Sequence, residues 1–417
     1  MQSKQTIKGD LSFMEKPLSG IKVVELADYV SAPVCARILA DMGAEVIKIE
    51  RNSGNAWRAT GIASCPWRFN QKENPGYDIN NTGKKHIVLN LKTAEGMEVC
   101  HKLLADADVF VTNTRIASLK RLGLDYESIK ERYPRLIYAI GLGYGEKGPD
   151  ANSPAFDHTA FWAKTGALLD MAPIGDDYHP VFPPSSMGDN FTGMTLAAEI
   201  CSALFSRTKT GKGDYVRSSL FHNGIFAFGA MQIATQGDNG SQYPRTRCGH
   251  GAAYGDYKCS DGRYIYIASG YAEKLIAKVF SIIGREDLNN DPRFNTAEGR
   301  TENAEELYSI ISGAILTKPS DEWLAFAKEA DIPMVRMQHF KDVSEDEQAL
   351  ANGYIQEVEY PSGAKYKIVS SPIEMDSVGE LKTEPTKPIG ADTENVLKEL
   401  GYDNNELSKL RKLGVIN

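Results

Sequence analysis

Residues 185–194 read SSMGDNFTGM and lead directly into the apolar stretch TLAAEICSALFSRTKTGKG. Asp189 thus stands between Gly188 and a Thr-Gly pair at the mouth of a buried helix, which is expected to begin just after it. Two chemistries suit a carboxylate there. It can cap the helix, accepting a backbone N–H and drawing on the positive end of the helix dipole. The same free N–H groups, beside glycines that permit close approach, can instead serve a reactive carboxylate and a neighbouring oxyanion. Such a carboxylate attacks a thioester or phosphoryl centre to give a covalent intermediate. Asp157, in SPAFDHTAF, has the same two options, cap or accessory acid, and His158 beside it is an acid/base or a packed ring.

A second group of candidates is basic. Arg51, Lys84, Lys85, Lys92, Arg115 and Arg121 lie at or beyond strand ends or in helices of the N-terminal part. Open α/β sheets bind ligands beyond the carboxyl ends of their strands. Arg51 follows AEVIKIE at once and is the first choice for a phosphate; most of the others read as solvated charges. The loop RCGHGAA either closes over a site or is a turn.

These residues need a scaffold, and the patterning supplies one. IKVVEL (21–26), a helical APVCARILADMG (32–43) and the strand AEVIKIE (44–50) make a β-α-β unit. The pattern continues with HIVLNL (86–91), a helix over about 94–106, DVFVTN (108–113), a helical stretch over 116–133 and LIYAIGLG (136–143). This predicts an α/β fold with an open parallel sheet of Rossmann type. The first β-α turn, LADYVSAP, lacks G-x-G-x-x-G, which removes the main reason to propose NAD. Helices are expected over 159–171 and 223–237, and a hairpin in YGDYKCSDGRYIYIAS turning at Asp261-Gly262. The expected organisation is a large domain over 1–239, a smaller α+β domain over 240–345 and a C-terminal segment over 346–417 that returns to the large domain.

Composition narrows the function. The net charge of −8 argues against nucleic acid as a partner, although residues 1–150 carry 21 basic against 18 acidic side chains. A polyanionic ligand therefore belongs with the N-terminal third. No apolar run reaches membrane-span length, and the polar N-terminus lacks the apolar core of a secretory signal, so a cytoplasmic protein with no membrane partner is expected. The six cysteines show neither C-x-x-C nor zinc-type spacing, so no metal is expected and the thiols read as buried.

Taken in order, LSGIKVVELADYVSAPVCARILADMGAEVIKIER, KKHIVLNLKTAEG, LGYGEKGP, SSMGDNFTGM and TKTGKGDYV resemble the successive signatures of class III CoA-transferases, the group that includes formyl-CoA and carnitine CoA-transferases. The likeness runs from about residue 19 to the C-terminus. GYGEKGPD, FDHTAF, ADIP and EDEQALANGYI are most similar to the 2-hydroxyacid CoA-transferases of amino-acid-fermenting anaerobes, such as the phenyllactate and 2-hydroxyisocaproate enzymes.

The resemblance implies that Asp189, in G-D-x-x-[TS]-G, is the nucleophile, with Asp157 at the accessory acidic position. By the same matching Arg51, Leu89, Lys92, Asn113 and Arg121 line the pocket for CoA, which is a substrate; no prosthetic group is implied. Backbone N–H groups near Gly188 and Asn190 are expected to meet the oxyanion. Formyl-CoA transferases carry a glutamine where Val30 stands here, which turns the substrate position formed by Val30 and Ser31 away from small polar acids. The counterpart of their glycine-run lid is Gly249-His250-Gly251. The resemblance further implies an interlocked homodimer. Two alternatives are a 2-methylacyl-CoA racemase and a CoA-binding protein without turnover. The racemases place a His directly before the accessory aspartate, where this chain has Phe156.

Overall fold

The structure, a computed structural model, describes residues 15–58, 73–175, 178–240, 243–245, 254–269 and 273–417. Six strands rich in β-branched residues form one parallel sheet: β1 (Lys22–Leu26), β2 (Glu45–Glu50), β3 (Lys85–Val88), β4 (Val109–Thr112), β5 (Ile137–Leu142) and β6 (Tyr215–Ser219). Their order is β3-β2-β1-β4-β5-β6. The order reverses between β1 and β4, and that crevice is where such sheets hold ligands.

Alternate residues of each strand feed two cores. Val23, Val46, Val109 and Val111 face a layer made by α1 (Ser31–Asp41) and the long α4 (Met187–Thr210). Val24, Ile47, Ile87 and Phe110 face α2 (Ala94–Asp106) and the C-terminal helices α9 (Thr393–Glu399) and α10 (Asn404–Lys412). Between β4 and β5 the short α3 (Ile116–Leu122) ends at Gly123 in the left-handed region. At Gly193 a Cβ would come within 2.5 Å of the Ser31 carbonyl oxygen, so glycine there is what lets α4 close on the first turn of α1.

The chain divides into two compact units, residues 1–165, 183–230 and 347–417 in the first, and 166–182 with 231–346 in the second. The second holds the antiparallel sheet β7 (Tyr254–Lys258), β8 (Tyr264–Ala268) and β9 (Met334–Arg336), whose hairpin turns at Gly262. Helices α6 (Glu273–Ile282), α7 (Ala304–Ile315) and α8 (Ser320–Ala330) cover it around Trp323, Phe280 and Tyr257.

Three local expectations change. The long helix starts at Met187, so Asp189 lies inside its first turn rather than before it. The stretch expected as a helix over 159–171 is a π-helical turn, His158–Ala163, and a short helix, Ala167–Asp170, separated by left-handed Gly166. The apolar segment after β6 is likewise split, into α5 (Leu220–Ala227) and a short helix over Gly229–Ala234.

Candidate active site

The site is built first from the turn between β1 and α1. Asn113, just past β4, grips that turn from the neighbouring strand: its Oδ1 accepts the Asp28 N–H at 3.0 Å and its Nδ2 donates to the Asp28 carbonyl at 2.7 Å. Tyr29 follows with φ +61°, a left-handed backbone that costs a non-glycine residue about 1–3 kcal/mol. Its ring meets Phe156 edge-on, centroids 5.4 Å apart. With Tyr29 turned this way, Tyr29 and Ser31 line a cavity, whereas Val30 is 3% exposed and does not line it. The side chain of Val30, expected at the substrate position, is buried beside that wall.

The second part is the entrance of α4. No side chain of the helix itself caps it, and Ser186 ahead of it is strained at φ +68°. Asp157 supplies the cap from another element. Its Oδ2 accepts the Ser186 N–H at 3.2 Å and its Oδ1 accepts the Asp189 N–H at 3.1 Å, and the Gly188 N–H is directed to it as well. Gly188 is required by space, because a Cβ would fall 2.2 Å from Phe161 Cγ and 2.4 Å from Asp157 Oδ1. The Asn190 N–H is donated to the Ser186 carbonyl at 2.9 Å. The amides expected to meet an oxyanion are thus turned to other acceptors.

Asp189 is released from capping by this arrangement. Its side chain is partly buried, takes a hydrogen bond from the Ser31 hydroxyl and faces the Asp157 charge. Burial first, and Asp157 second, push its carboxyl up to about 7, against the opposing pull of Ser31. Burial also raises Asp157, although His158 and the three N–H groups hold it back. A carboxyl raised to about 7 by burial and a neighbouring carboxylate has the basicity that suits nucleophilic work near neutral pH.

Two cavities open beyond the carboxyl ends of the strands. The larger, about 610 Å³, spans β1 to β4 and is lined by Arg51, Leu89, Lys92, Asn90 and Glu50 among others. The smaller, about 300 Å³, is lined by Asp189, Ser31, Tyr29, Phe156, Asn113 and Arg115 among others. They share Asp28 and Thr114, so one elongated ligand can occupy both. Arg51 pairs with Asp28 at 2.7 Å across an exposed rim. Arg121 lines neither cavity and donates to Ser118 Oγ at 2.8 Å. Lys84, read from sequence among the basic residues at strand ends, is buried and paired with Glu25 at 2.8 Å. Gly249, His250 and Gly251 lie outside the described residues. Tyr29 and Phe156 are among the lining residues that sequence reasoning missed as such; the turn LADYVSAP has no glycine to mark a left-handed position, so nothing in it pointed to Tyr29. Among the described residues, no group of three His, Cys, Asp or Glu side chains could hold a metal ion, and no helix is long and apolar enough to cross a membrane.

The parallel sheet thus carries a cavity at its switch point that meets, at Asp28 and Thr114, a second one lined by Asp189 with its raised carboxyl. The chain belongs to CoA-transferase family III, which it matches over residues 18–393, and is a class III CoA-transferase. It is 38% identical over 400 residues to (R)-2-hydroxy-4-methylpentanoate CoA-transferase of Clostridioides difficile, covering 96% of this chain and 99% of that one. It is 40% identical over 397 residues to cinnamoyl-CoA:phenyllactate CoA-transferase of Clostridium sporogenes, covering 94% and 96%. Among solved structures, a CAIB/BAIF family protein from Brucella suis superposes with a TM-score of 0.76 at 29% identity, covering 93% of this chain and 100% of that one.

Proposed function

We propose that this enzyme moves CoA between an acyl-CoA and a 2-hydroxy acid with an apolar or aromatic side chain, through covalent intermediates on Asp189. The observation that carries this is the placement of a carboxyl raised to about 7 in the smaller of two connected cavities. The larger cavity, with Arg51 and Lys92, takes the nucleotide and phosphates of CoA, and the thioester reaches the smaller one past Asp28 and Thr114.

The Asp189 carboxylate attacks the thioester carbonyl, a C–O bond forms and the C–S bond breaks, giving a mixed anhydride and CoA thiolate. The thiolate then attacks the aspartyl carbonyl, forming aspartyl-CoA and releasing the donor acid as its carboxylate. The acceptor carboxylate attacks this thioester to give a second anhydride and thiolate. Attack of that thiolate on the acceptor acyl carbon yields the new acyl-CoA and restores Asp189. Each intermediate conserves the activation of the thioester. The Ser31 hydroxyl, already bonded to the Asp189 side chain, is the donor at hand for the charge that develops there.

The acceptor class rests on the wall made by Tyr29 and Phe156, backed by Leu142, Ile116 and Leu220. Phe156 is 57% exposed, at the position where a racemase needs a proton-carrying residue, and it carries no proton to exchange. A homodimer in the cytoplasm completes the proposal. Within the first unit Phe226 is 77% and Phe205 64% exposed, apolar surface that suits a second copy.

The test is covalent. After incubation with cinnamoyl-CoA, hydroxylamine or borohydride is added and modification of Asp189 is read by mass spectrometry. Labelled Asp189 is the expected result; transfer that proceeds undiminished in Asp189→Ala overturns the mechanism. A monomer on gel filtration refutes the dimer.

A further inference from the structure

Beneath the β1–α1 turn lies a cluster that the chemistry above leaves unused. Glu25 and Lys48 are 0% exposed and Lys84 is 3% exposed. Both lysines pair with the single carboxylate, Lys48 at Oε1 and Lys84 at Oε2, the latter at 2.8 Å. None of the three lines either cavity. Taking ions out of water costs several kcal/mol each, and two ammonium groups on one carboxylate leave the charge unbalanced. Burial accordingly pushes Lys84 down to about 7, even with Glu25 pulling the other way. Three hydrophobic residues would fill the same space more cheaply, so the arrangement calls for a role beyond stability.

The remaining bonds show where the cluster acts. Lys48 Nζ donates to the Ala27 carbonyl at 3.1 Å, alongside Asn55 Nδ2 at 3.0 Å. Lys84 Nζ donates to the Pro33 carbonyl at 2.8 Å and to Asn81 Oδ1 at 3.1 Å. Ala27 and Pro33 bracket the segment that carries Asp28, left-handed Tyr29 and the Ser31 hydroxyl bonded to Asp189. The two lysine nitrogens thus hold the segment at both ends, and Glu25 fixes the spacing between them. A strained backbone such as that of Tyr29 persists only where its surroundings over-determine it.

We propose that Glu25, Lys48 and Lys84 are positioning residues that lock the Ala27–Pro33 segment, and through Ser31 set the attack geometry of Asp189. The proposal rests on Asp189 being the nucleophile. It predicts that loss of one lysine slows acylation while CoA binding is kept, because the larger cavity is formed chiefly by other segments. It also predicts unequal effects. The Ala27 carbonyl keeps Asn55 when Lys48 is lost, so Lys48→Met is the milder change, whereas no other side chain holds the Pro33 carbonyl among the described residues.

The experiment is a double-mutant cycle on the full-length enzyme with Lys84→Met and Ser31→Ala. Lys84→Met leaves Glu25 and Lys48 as a one-to-one pair. Single-turnover labelling of Asp189 by cinnamoyl-CoA, trapped with hydroxylamine, is timed in each variant, and CoA affinity is measured by calorimetry. Lys84→Met is expected to slow labelling about 10- to 100-fold, with the Kd for CoA changed less than about 3-fold. In the Ser31→Ala background the same substitution is expected to cost much less, since both act on one geometry. If Lys84→Met does not fold, Lys48→Met takes its place in the cycle. Unchanged labelling, or strictly additive effects, overturns the proposal. Failure of the wild-type enzyme to label at Asp189 overturns the reaction mechanism instead.

Discussion

Replacing Asp157 by Asn separates the two things this side chain does. Its Oδ1 accepts the Asp189 N–H at 3.1 Å, and its Oδ2 accepts the Ser186 N–H at 3.2 Å. An amide has one oxygen, so one of these N–H groups comes to face an NH₂. A buried donor left without an acceptor costs about 1–3 kcal/mol. The helix entrance also loses an anion, worth about 0.3–2 kcal/mol. The variant should therefore unfold at lower urea than wild type while remaining folded in its absence. The charge has the opposite consequence for Asp189, which Asp157 helps to raise from 3.8 to about 7. Since burial is the larger cause, removing Asp157 should lower Asp189 by only part of the whole displacement. The assay is the rate of Asp189 acylation against pH. In the wild type it should rise with pH through about 7, as the carboxylate forms. In Asp157→Asn the rise should move to lower pH, and the plateau should fall because a less basic carboxylate is the weaker nucleophile. A rise that stays in place, or moves to higher pH, in a folded variant refutes the electrostatic coupling.

Three further outcomes follow from the same geometry. Between the ordinary value of 3.8 and about 7, folded Asp189 holds a proton that the unfolded chain has lost, so stability declines as pH climbs through that window. Asp189→Asn should escape this decline and exceed wild type by about 1–3 kcal/mol at pH 8 in urea unfolding, with little difference at pH 4; equal midpoints at pH 8 would contradict the raised carboxyl. Gly188→Ala must fit a methyl 2.2 Å from Phe161 Cγ, and overpacking of about 1–3 kcal/mol should appear together with at least a 100-fold loss of acylation; a variant with wild-type rate would show that the pocket yields freely. Tyr29→Ala should reduce kcat/KM for phenyllactate relative to lactate by about 10- to 200-fold, measured with one fixed acyl-CoA donor; an unchanged ratio removes Tyr29 from acceptor recognition.

Much of the scaffold was legible from local pattern. KVVEL, EVIKIE and VFVT are strands because β-branched residues alternate between two buried faces, and the intervening apolar periodicity at 3.6 residues makes helices. Gly43 and Gly211 end helices α1 and α4 in the left-handed region, as their positions suggest. The candidate nucleophile was visible as well, since an aspartate between Gly188 and Thr192-Gly193 at a helix entrance carries both spacing and motif. Val30 is buried while Tyr29 beside it lines the cavity, and a turn without glycine gave no sign that Tyr29 would take the left-handed conformation. Lys84 failed differently: nothing in NNTGKK distinguishes a lysine that solvates from one that is buried.

What the sequence determined alone, then, is the succession of strands and helices, the helix entrance holding Asp189, and membership of a family whose motifs it carries in order. Those signals act over a few residues, through backbone sterics, side-chain period and turn chemistry. Only the tertiary structure decided which carboxylate caps α4. Asp157 stands 32 residues from Asp189, and its capture of the α4 N–H groups is what leaves the Asp189 side chain out of the cap. Lys84 stands 51 residues from the Pro33 carbonyl it holds. Such pairs are brought together by the strand order 3-2-1-4-5-6 and its crossovers, and the low-dielectric interior they create, not their spacing along the chain, sets their charge.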